Sequence, residues 1–386
     1  MGNLGFTEEQ IDAAGAHWTA REILQQPRVW EEIAAVDDSA VARFLRPPLA
    51  RADLRIVLTG AGTSAFVGQC LAPALTRRLR RRVEAIATTD LVAGPSAWLE
   101  TQAPTLLVSF ARSGNSPESL AALEIAESQL RSCWHLVVTC NAQGALHRRG
   151  RELPNAHVIL LPEASHDRGF AMTSSFTGMT LAGALALGAL APDPGEVALL
   201  GRMGTRVWDS HLSLLRELVR DGFERAVFLA SNELKGLARE AALKMLELTD
   251  GRVVAIADSP LGFRHGPKTI LNAATLVVVF RSGDPYTRQY EDDLVGELRR
   301  DAVARRVLTL GAGAGGPHAD DLTLMGAEPS AQPPDLALAL PYAVFAQVLA
   351  LLRSLSLGIR ADTPSASGTV SRVVQGVTIY PPGARP

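Results

Sequence analysis

The sequence contains little cysteine, few aromatic residues and almost no excess charge. Its 386 residues include three cysteines, Cys70, Cys133 and Cys140, without any C-x-x-C spacing. This odd set argues against a disulfide framework or a zinc site, and it fits a reducing cytoplasm. The net charge of −2 gives no electrostatic footprint for nucleic acid, so we expect no nucleic-acid partner.

Targeting and membrane-spanning patterns are missing as well. The first residues, MGNLGFTEEQ, have neither a basic region nor an apolar run, so we expect no signal peptide. Two apolar stretches, residues 178–192 and 336–352, fall short of the about 20 strongly apolar residues that a membrane span needs. We therefore predict that both are buried helices of a soluble, cytoplasmic protein without a membrane partner.

Short runs rich in Val, Ile and Leu alternate with helical patterns along the chain. Two series of five such runs qualify as strands: 55–60, 83–88, 105–110, 135–140 and 157–161, then 226–230, 253–257, 275–280, 305–310 and 322–326. Continuous apolar runs separated by helices indicate parallel strands that are buried on both faces. Because the third run of each series is followed by Ser-Gly, we predict an α/β fold of two similar, doubly wound parallel-sheet subdomains.

Breaks in composition predict the limits of these subdomains. Residues 1–46 are predicted to form an N-terminal helical segment, and residues 47–205 the first subdomain. Residues 206–361 would form the second subdomain, and residues 362–386 an irregular tail rich in Pro and Gly.

A Gly-rich turn follows the first predicted strand. It reads GAGTSAFVG over residues 60–68 and continues into a helical pattern. The free N–H groups at such a helix start attract anions, and Gly62, Thr63 and Ser64 would lie nearest the ligand. A dinucleotide fingerprint would need a third glycine where Ala65 stands, so the pattern favours phosphate or sugar-phosphate binding, with a purely structural turn as the alternative.

The third predicted strand runs into a comparable loop, SFARSGNSPES, at residues 109–119. Ser113, Asn115 and Ser116 would form a cradle for a phosphate at a helix start, with Arg112 as a charged contact. The alternative for Ser116 is a structural N-cap. Because both loops follow strands of one parallel sheet, we expect them to converge at its carboxyl edge, where ligands of such folds bind.

The stretch EAALKMLELTDG and the loop LGFRHGPK after it carry the candidate chemistry. Glu240, Lys244 and Glu247 are spaced i, i+4 and i+7, so they project from one face of a helix. An exposed ion pair is the ordinary interpretation, but the apolar residues around them indicate an enclosed helix, in which a carboxylate needs a partner or a task. His265 is either a proton shuttle or a core histidine bonded to a backbone carbonyl.

These motifs together resemble the sugar isomerase (SIS) family. The resemblance rests on GAGTS, on SFARSGNS, and on REAALKMLELTDG followed by SPLGFRHGP. Three further stretches, HDRGFAMTSSFTGM, DPYTRQYEDDL and SASGTVSRVVQGVTIYP, resemble its AgaS branch, described as galactosamine-6-phosphate deaminase/isomerase or tagatose-6-phosphate ketose/aldose isomerase. The resemblance implies two SIS-type subdomains of three-layer α/β/α, flavodoxin-like form, and a homodimer with shared active sites.

The chain also resembles the isomerase half of glucosamine-6-phosphate synthase, which implies roles for single residues. By this resemblance Ser64, Ser113 and Ser116 hold the sugar phosphate, and Thr173 and Ser174, where the local match is inexact, border the sugar.

The chain departs from the family pattern in two places. Ala111 and Arg112 stand where the family often has Ser and Gln, and LASNELKG at 229–236 replaces a glycine-rich turn. We therefore expect the contacts at Ala111 and Arg112 to differ from the family pattern, and the loop at 229–236 either has an altered ligand contact or simply uses Asn232 as a turn former.

The same resemblance places Glu240, Lys244 and Glu247 on functional helix positions and His265 in an HGP loop. Conversion of an amino sugar phosphate to a ketose needs ring opening, which suits His265, and removal of the C2 proton, which suits Glu247. Lys244 would stabilise developing negative charge or pair with Glu240, and a Schiff base at Lys244 is an alternative.

The leading hypothesis is a deaminase that converts galactosamine 6-phosphate to tagatose 6-phosphate and ammonia. No metal or other cofactor is expected, because the histidines show no metal-ligand spacing. The alternatives are a plain aldose–ketose 6-phosphate isomerase, a glucosamine-6-phosphate deaminase without a glutaminase domain, and a sugar-phosphate sensor. Glutamine hydrolysis is not expected, because the chain begins MGN without a cysteine nucleophile.

Overall fold

The computed structural model describes residues 4–36, 39–313, 316–325, 332–374 and 376–381. Its strands are β1 (Arg55–Thr59), β2 (Val83–Ala85), β3 (Thr105–Ala111), β4 (Cys133–Thr139), β5 (Ala156–Leu160), β6 (Arg225–Leu229), β7 (Val254–Asp258), β8 (Thr275–Phe280), β9 (Arg306–Gly311) and β10 (Asp321–Thr323). Each predicted strand is confirmed, although the ends differ and the last residue of the run 322–326 lies outside the described residues.

Helices precede, separate and follow these strands. They are α1 (Glu8–Ala13), α2 (His17–Leu24), α3 (Gln26–Ala34), α4 (Ser39–Leu49), α5 (Thr63–Leu79), α6 (Thr88–Ala93), α7 (Pro95–Trp98), α8 (Pro117–Gln129), α9 (Ala145–Glu152), α10 (Ser174–Ala186), α11 (Pro194–Ser210), α12 (Leu212–Asp221), α13 (Asn232–Leu248), α14 (Pro260–Phe263), α15 (Pro285–Asp301) and α16 (Asp335–Ser356). Short 3-10 helices cover Glu163–Ser165 and Pro267–Ile270. The helices predicted ahead of β1 are thereby confirmed.

The strands form two five-stranded sheets of the same topology. Their orders are β2-β1-β3-β4-β5 and β10-β9-β8-β6-β7, and every pair is parallel. Counted from the first strand of each series, both sheets have the order 2-1-3-4-5, which is the flavodoxin-like doubly wound arrangement. The predicted fold class is confirmed.

The chain divides into two compact units, each built on one sheet. The first-sheet unit comprises residues 32–166, 174–192 and 369–386, and it contains β1 to β5. The second-sheet unit comprises residues 1–31, 167–173 and 193–368, and it contains β6 to β10. The segment boundaries inferred from composition stay a prediction, and residues 1–3, 37–38, 375 and 382–386 of the predicted end segments lie outside the described residues.

Strand alternation decides which helix covers each face of the first sheet. Val57 and Leu107 belong to one apolar cluster with residues of α6 and α8. Residues of opposite parity, Leu58 and Phe110, lie against Gly68 of α5 and Gly183 of α10. Because neighbouring side chains of a strand point to opposite faces, this is a sheet covered by helices on both sides.

The second sheet is covered in the same way. Val227 and Val277 pack in a cluster with Leu294 of α15. On the opposite face, Phe228 stacks on Phe280 with ring centroids 6.1 Å apart, and Phe280 stacks on Tyr342 of α16 at 5.8 Å. The sheet is therefore the middle of three layers.

Helix α16 is both long and apolar. It has 22 residues with a mean hydropathy of 1.8 over its best 18-residue window, so by length and composition alone it could cross a membrane. The sequence analysis was wrong to judge this stretch too short. However, 94% of that window is buried inside the protein, as in a core helix, and this confirms the prediction of a buried helix. The other predicted buried helix is α10.

Gln347 is a buried polar residue in the middle of α16. The amide of buried Gln26 donates to Oε1 of Gln347 at 2.7 Å, and the Gln347 amide donates to the Thr173 carbonyl at 3.4 Å. Buried polar groups are stable only when such partners are present. The pair thus ties α3 and the segment before α10 to the core helix.

We predict that Gln347→Leu lowers the free energy of unfolding by about 1–3 kcal/mol, because it removes a buried partner of Gln26 and of the Thr173 carbonyl. Urea unfolding followed by circular dichroism measures this. In the matched double variant Gln26→Leu/Gln347→Leu, most of the loss should be recovered, since both ends of the amide pair become apolar. Equal or greater loss in the double variant would contradict this explanation.

Candidate active site

The turn between β1 and α5 is shaped by glycine. Gly62, the residue before α5, has φ = +56° and is exposed. Such a backbone conformation favours glycine. Thr63 and Ser64, which begin α5, are 3% and 4% exposed. A 17-residue helix thus starts at an open glycine with two hydroxyl residues, an arrangement that can bind an anion.

The loop between β3 and α8 is held open by its own hydrogen bonds. Gly114 has φ = +61°, and the side chain of Asn141 donates to the Ser113 carbonyl at 2.8 Å. The Asn115 side-chain oxygen accepts from the Ala145 amide at 2.9 Å. Ser116 is the N-cap of α8, since its hydroxyl accepts from the Ser119 amide at 3.2 Å. The N-cap alternative is confirmed, and the loop is ordered around it.

Arg112 lies buried at the start of this loop. It is 6% exposed, and its Nη2 donates to the carbonyl of Arg372 at 2.7 Å. That carbonyl belongs to the irregular tail, which the first-sheet unit includes from residue 369 onward. The guanidinium is therefore fixed by the tail next to the loop that Ser113 and Ser116 form.

Strand pairing brings the two loops to one edge of the first sheet. β1 and β3 are parallel neighbours in register from Arg55–Thr105 to Thr59–Ser109, and β3 continues for two more residues to Ala111, so both strands end at the same edge. The loop residues that follow them, Gly62 to Ser64 and Arg112 to Ser116, share the carboxyl edge of the sheet. This is the convergence that the sequence predicted for the phosphate-binding candidates.

The counterpart loop of the second-sheet unit is closed by carboxylates. It follows β8, and there the amide of Ser282 donates to Glu291 at 2.8 Å and the amide of Gly283 donates to Asp335 at 2.6 Å. Burial raises the pKa of Glu291 to about 7. Donors that could hold an external anion are thus already used inside the protein.

The altered loop LASNELKG is part of the same network. Asn232 begins α13 with φ = +48°, and its side-chain amide donates to the Thr287 hydroxyl at 3.3 Å. The hydroxyl and amide of Thr287 both bind Asp284, at 2.7 and 2.9 Å. Asn232 therefore acts as a turn former in a self-contained polar loop.

Helix α13 presents the three charged residues on one face. Lys244 is completely buried, its Nζ lies 3.4 Å from Oε1 of Glu240, and it also contacts Oε2 of Glu247. The Glu240 side chain is 1% exposed, whereas that of Glu247 is 25% exposed. A surface ion pair is thereby excluded. The helix holds one enclosed carboxylate, one enclosed ammonium group and one carboxylate that solvent and ligands can reach.

His265 lies in a turn between α14 and the 3-10 helix that begins at Pro267. It is exposed, and its amide bonds the Gly262 carbonyl at 2.9 Å. The next residue, Gly266, has φ = +125°, a conformation that favours glycine. The alternative of a buried core histidine is wrong, because the imidazole lies at the surface. The turn that carries His265 is held in place, since Arg264 and Lys268, on either side of it, both form ion pairs with Glu297.

Thr173 is committed to a buried carboxylate. Its amide and hydroxyl donate to Asp167 at 2.7 and 3.0 Å, and both residues are fully buried. Ser174 follows as the first residue of α10 and is also fully buried. The Thr173 hydroxyl therefore orders the segment before α10, which is a structural task.

A second buried carboxylate braces the same segment from α2. Glu22 accepts hydrogen bonds from the amides of Arg168 and Gly169. Nearby, Asp362 accepts from the amide and hydroxyl of Thr19, both at 2.8 Å. Burial, together with the Asp167 carboxylate, raises the pKa of Glu22 from 4.5 to about 8.

The candidate residues therefore fall into two groups. Those of the loops 62–64 and 112–116 lie in the first-sheet unit, whereas Glu240, Lys244, Glu247 and His265 lie in the second-sheet unit. Sequence reasoning missed Asn141, which orders the Ser113 loop. A polar residue two positions after the end of β4 was a usable signal. It also missed Asp167, which stands in the HDRG motif just before Thr173.

A comparison with known families gives the class of the chain. The profile of the SIS domain matches residues 48–189, which contain the first sheet and both candidate phosphate loops. The chain is 52% identical over 377 residues to a Streptomyces coelicolor protein provisionally named D-galactosamine-6-phosphate deaminase AgaS, covering 96% of this chain and 97% of the relative. It is 44% identical to D-galactosamine-6-phosphate deaminase AgaS of a Shewanella species, covering 98% and 96%.

A solved structure agrees with these relatives. The crystal structure of tagatose-6-phosphate ketose/aldose isomerase from Escherichia coli has a TM-score of 0.87 to this chain at 42% identity, covering 95% of this chain and 97% of that one. This protein is thus of the SIS class of phosphosugar proteins. Within that class, the chain belongs to the AgaS family.

We predict that Glu22 makes the stability of the protein depend on pH. The folded chain keeps a proton that the unfolded chain releases, so this contribution is complete below about pH 4.5 and is lost as the pH rises to about 8. The free energy of unfolding should fall between about pH 5 and about pH 8 by up to about 1.4 kcal/mol per unit. Glu22→Gln should flatten this slope, and Glu9→Gln, at an exposed site, should leave it unchanged. Urea titrations across this range measure it, and equal slopes in all three proteins would contradict the assignment.

Proposed function

We propose that this protein is a D-galactosamine-6-phosphate deaminase, which converts galactosamine 6-phosphate and water to tagatose 6-phosphate and ammonia. The main support is the similarity to AgaS relatives along almost the whole of both chains. The partly exposed Glu247 carboxylate beside buried Lys244 adds a chemical reason for an enzyme, since a protein that only binds sugar phosphate needs no positioned base.

The reaction needs four steps, and the first three move protons between the sugar and the protein. The pyranose ring opens to an amino aldehyde, C2 loses a proton to Glu247 while the C1 oxygen gains one to give an enolamine, and C1 then gains the proton that Glu247 holds, which gives a protonated C2 imine. Water then adds to C2, and the nitrogen leaves as ammonia, so that the overall deamination is hydrolytic. His265 opens the ring, because its exposed imidazole can reach the substrate and can act both as a general acid and as a general base.

Glu247 removes the C2 proton. Of the two carboxylates on α13, it is the one with a quarter of its side chain exposed, whereas Glu240 is enclosed. Lys244 is held between them as a buried cation, which stabilises negative charge that develops on the enolamine oxygen. Glu240 keeps Lys244 charged and in place, because an unpaired buried ammonium would be costly.

The phosphate of the substrate binds at the carboxyl edge of the first sheet. Gly62, Thr63 and Ser64 offer the start of α5, and Ser113 to Ser116 offer the start of α8. Two helix starts with hydroxyl residues suit a phosphate monoester. Arg112 adds positive charge, and Thr173 and Ser174 contribute by ordering the start of α10 rather than by binding.

We further propose a cytoplasmic homodimer with shared active sites, in which the partner chain supplies His265. The exposure of His265 on a firmly based turn supports this, because an imidazole that acts on another chain must lie at the surface. The three free cysteines fit a reducing compartment.

The second candidate function is plain aldose–ketose isomerisation of a 6-phosphate. It is favoured by the name of the Escherichia coli structure, tagatose-6-phosphate ketose/aldose isomerase, at 42% identity. Both reactions share the removal of the C2 proton, so Glu247 and His265 would keep their roles. They differ in whether ammonia leaves, and ammonia release therefore distinguishes them.

We predict that the purified protein releases ammonia from galactosamine 6-phosphate and does so more slowly from glucosamine 6-phosphate. Glu247→Gln should lower kcat by about 10²- to 10⁴-fold, which is the usual contribution of a general base. A coupled glutamate dehydrogenase assay measures the ammonia. Conversion of galactose 6-phosphate to tagatose 6-phosphate, with no ammonia released from galactosamine 6-phosphate, would favour the plain isomerase. Activity retained in Glu247→Gln would contradict the role of this residue.

We predict a different signature for His265. If it opens the ring, His265→Asn should make ring opening limiting, so that a primary isotope effect from deuterium at C2 becomes smaller than in the unaltered enzyme. The matched control is His318→Asn, which alters another exposed histidine of the same unit. An unchanged isotope effect together with unchanged kcat would rule out this role.

We predict that Ser113→Ala lowers kcat/KM by roughly tenfold to hundredfold, because it removes a hydrogen bond to a charged phosphate. The control is Ser128→Ala, at the far end of helix α8, which follows the Ser113 loop. The Ser128 hydroxyl donates to the nearby Ile125 carbonyl. Inorganic phosphate should inhibit the Ser113 variant less than the control. Equal inhibition of both variants would place the phosphate elsewhere.

A further inference from the structure

A Glu, a Cys and a His meet at the end of α8 that is remote from the candidate phosphate loop. Cys133 and His135 lie two residues apart on β4, so their side chains point to the same face of the sheet. Val137, the next residue of this parity, packs against Leu123 of α8. Glu127 comes from the last turn of α8 and completes the cluster. The potential ligand atoms of these three residues all lie within 4.8 Å of one another.

The hydrogen bonds of the cluster leave metal-binding capacity unused. Nε2 of His135 lies 2.7 Å from Oε1 of Glu127, and the Asn155 amide donates to the same oxygen at 2.7 Å. Nδ1 of His135 is buried and has no hydrogen-bond partner among the described residues. His135 is fully buried, so bulk solvent does not satisfy this nitrogen.

We propose that Glu127, Cys133 and His135 bind a thiophilic divalent cation, Zn²⁺ foremost, which clips the end of α8 to the start of β4. Thiolate, imidazole and carboxylate are the three ligand types that Zn²⁺ accepts, and the sulfur selects it over Mg²⁺ and Ca²⁺. Three protein ligands leave a fourth tetrahedral position for water. The side chain of Glu127 is 25% exposed, which gives the ion and its water a route from solvent.

Binding requires small side-chain movements. Bond lengths of about 2.0–2.3 Å to Zn²⁺ put the ligand atoms of a tetrahedron about 3.3–3.8 Å apart. The present contact between Glu127 and His135 would open, and the sulfur would move in from its position near the Trp134 carbonyl, 3.8 Å away. Neighbouring charges are already paired, because Arg149 binds Glu124 at 2.7 Å, so the cluster carboxylate remains available.

This site is structural and separate from the proposed chemistry. Glu127 lies eleven residues after Ser116, which at about 1.5 Å per residue is about 16 Å along the helix axis. An ion at the far end of α8 therefore contacts none of the loops that bind phosphate. It would stabilise the turn between α8 and β4 without changing the reaction.

The test uses the full-length protein after removal of metal with a chelator. Zn²⁺ is titrated against a chromogenic competitor, and Co²⁺ is added as a probe whose thiolate charge-transfer band reports ligation by cysteine. We expect one Zn²⁺ per chain and a rise in melting temperature with Zn²⁺. Cys133→Ser should abolish the cobalt–thiolate band and weaken Zn²⁺ binding at least about tenfold.

Two matched variants serve as controls. Cys140→Ala removes a thiol just after β4, and His157→Gln removes a histidine on the neighbouring strand β5. Both variants should bind Zn²⁺ as tightly as the unaltered protein does. Glu127→Gln, at a partly exposed position, repeats the test if Cys133→Ser fails to fold. A cobalt–thiolate band that survives Cys133→Ser, or the lack of saturable binding near one ion per chain, would overturn the proposal.

Discussion

The parallel pairing of β1 with β3 is the constraint on which the ligand-binding end of the first-sheet unit depends. β1 pairs with β3 up to Thr59 and Ser109, and β3 ends two residues later at Ala111, so the helices that follow the two strands start at the same edge. The loops before both helices contain a glycine with positive φ, Gly62 in one and Gly114 in the other. No single loop would suffice, since a lone helix start is an ordinary feature of any α/β protein.

The buried charges of α13 show a different use of the same fold. A lysine without solvent is tolerated because carboxylates stand next to it on both sides, one enclosed and one partly open. Glu240 and Glu247 lie on one helix but differ in exposure, and this difference is the reason for proposing that Glu240 positions Lys244 whereas Glu247 acts on the substrate. Segment 166–173 is anchored by comparable means, with the carboxylates of Glu22 and Asp167 binding its backbone.

The strands, the sheet class and the helix of charged residues could be predicted because they depend on local patterns. Apolar runs predicted all ten strands, and the spacing of Glu240, Lys244 and Glu247 predicted a shared face. The partners of Thr173 and of Ser282 could not be predicted, because Asp167, Glu291 and Asp335 reach them only through tertiary packing. The group of Glu127, Cys133 and His135 escaped for the same reason: no sequence spacing connects the end of a helix to alternate residues of the next strand.

The carboxylates that fill the Ser282 loop bear on how a duplicated fold diverges. In one half the loop after the third strand is available to a ligand, and in the other half Asp335 and Glu291 stand in permanently for an anion. A loop whose donors are internally satisfied no longer gains stability from substrate, so mutations in that loop are selected for rigidity. The equivalent loop of the other half can change in affinity and specificity without loss of these internal bonds, which is how the two halves of an ancestral symmetric pair can come to divide anion binding and chemistry between them.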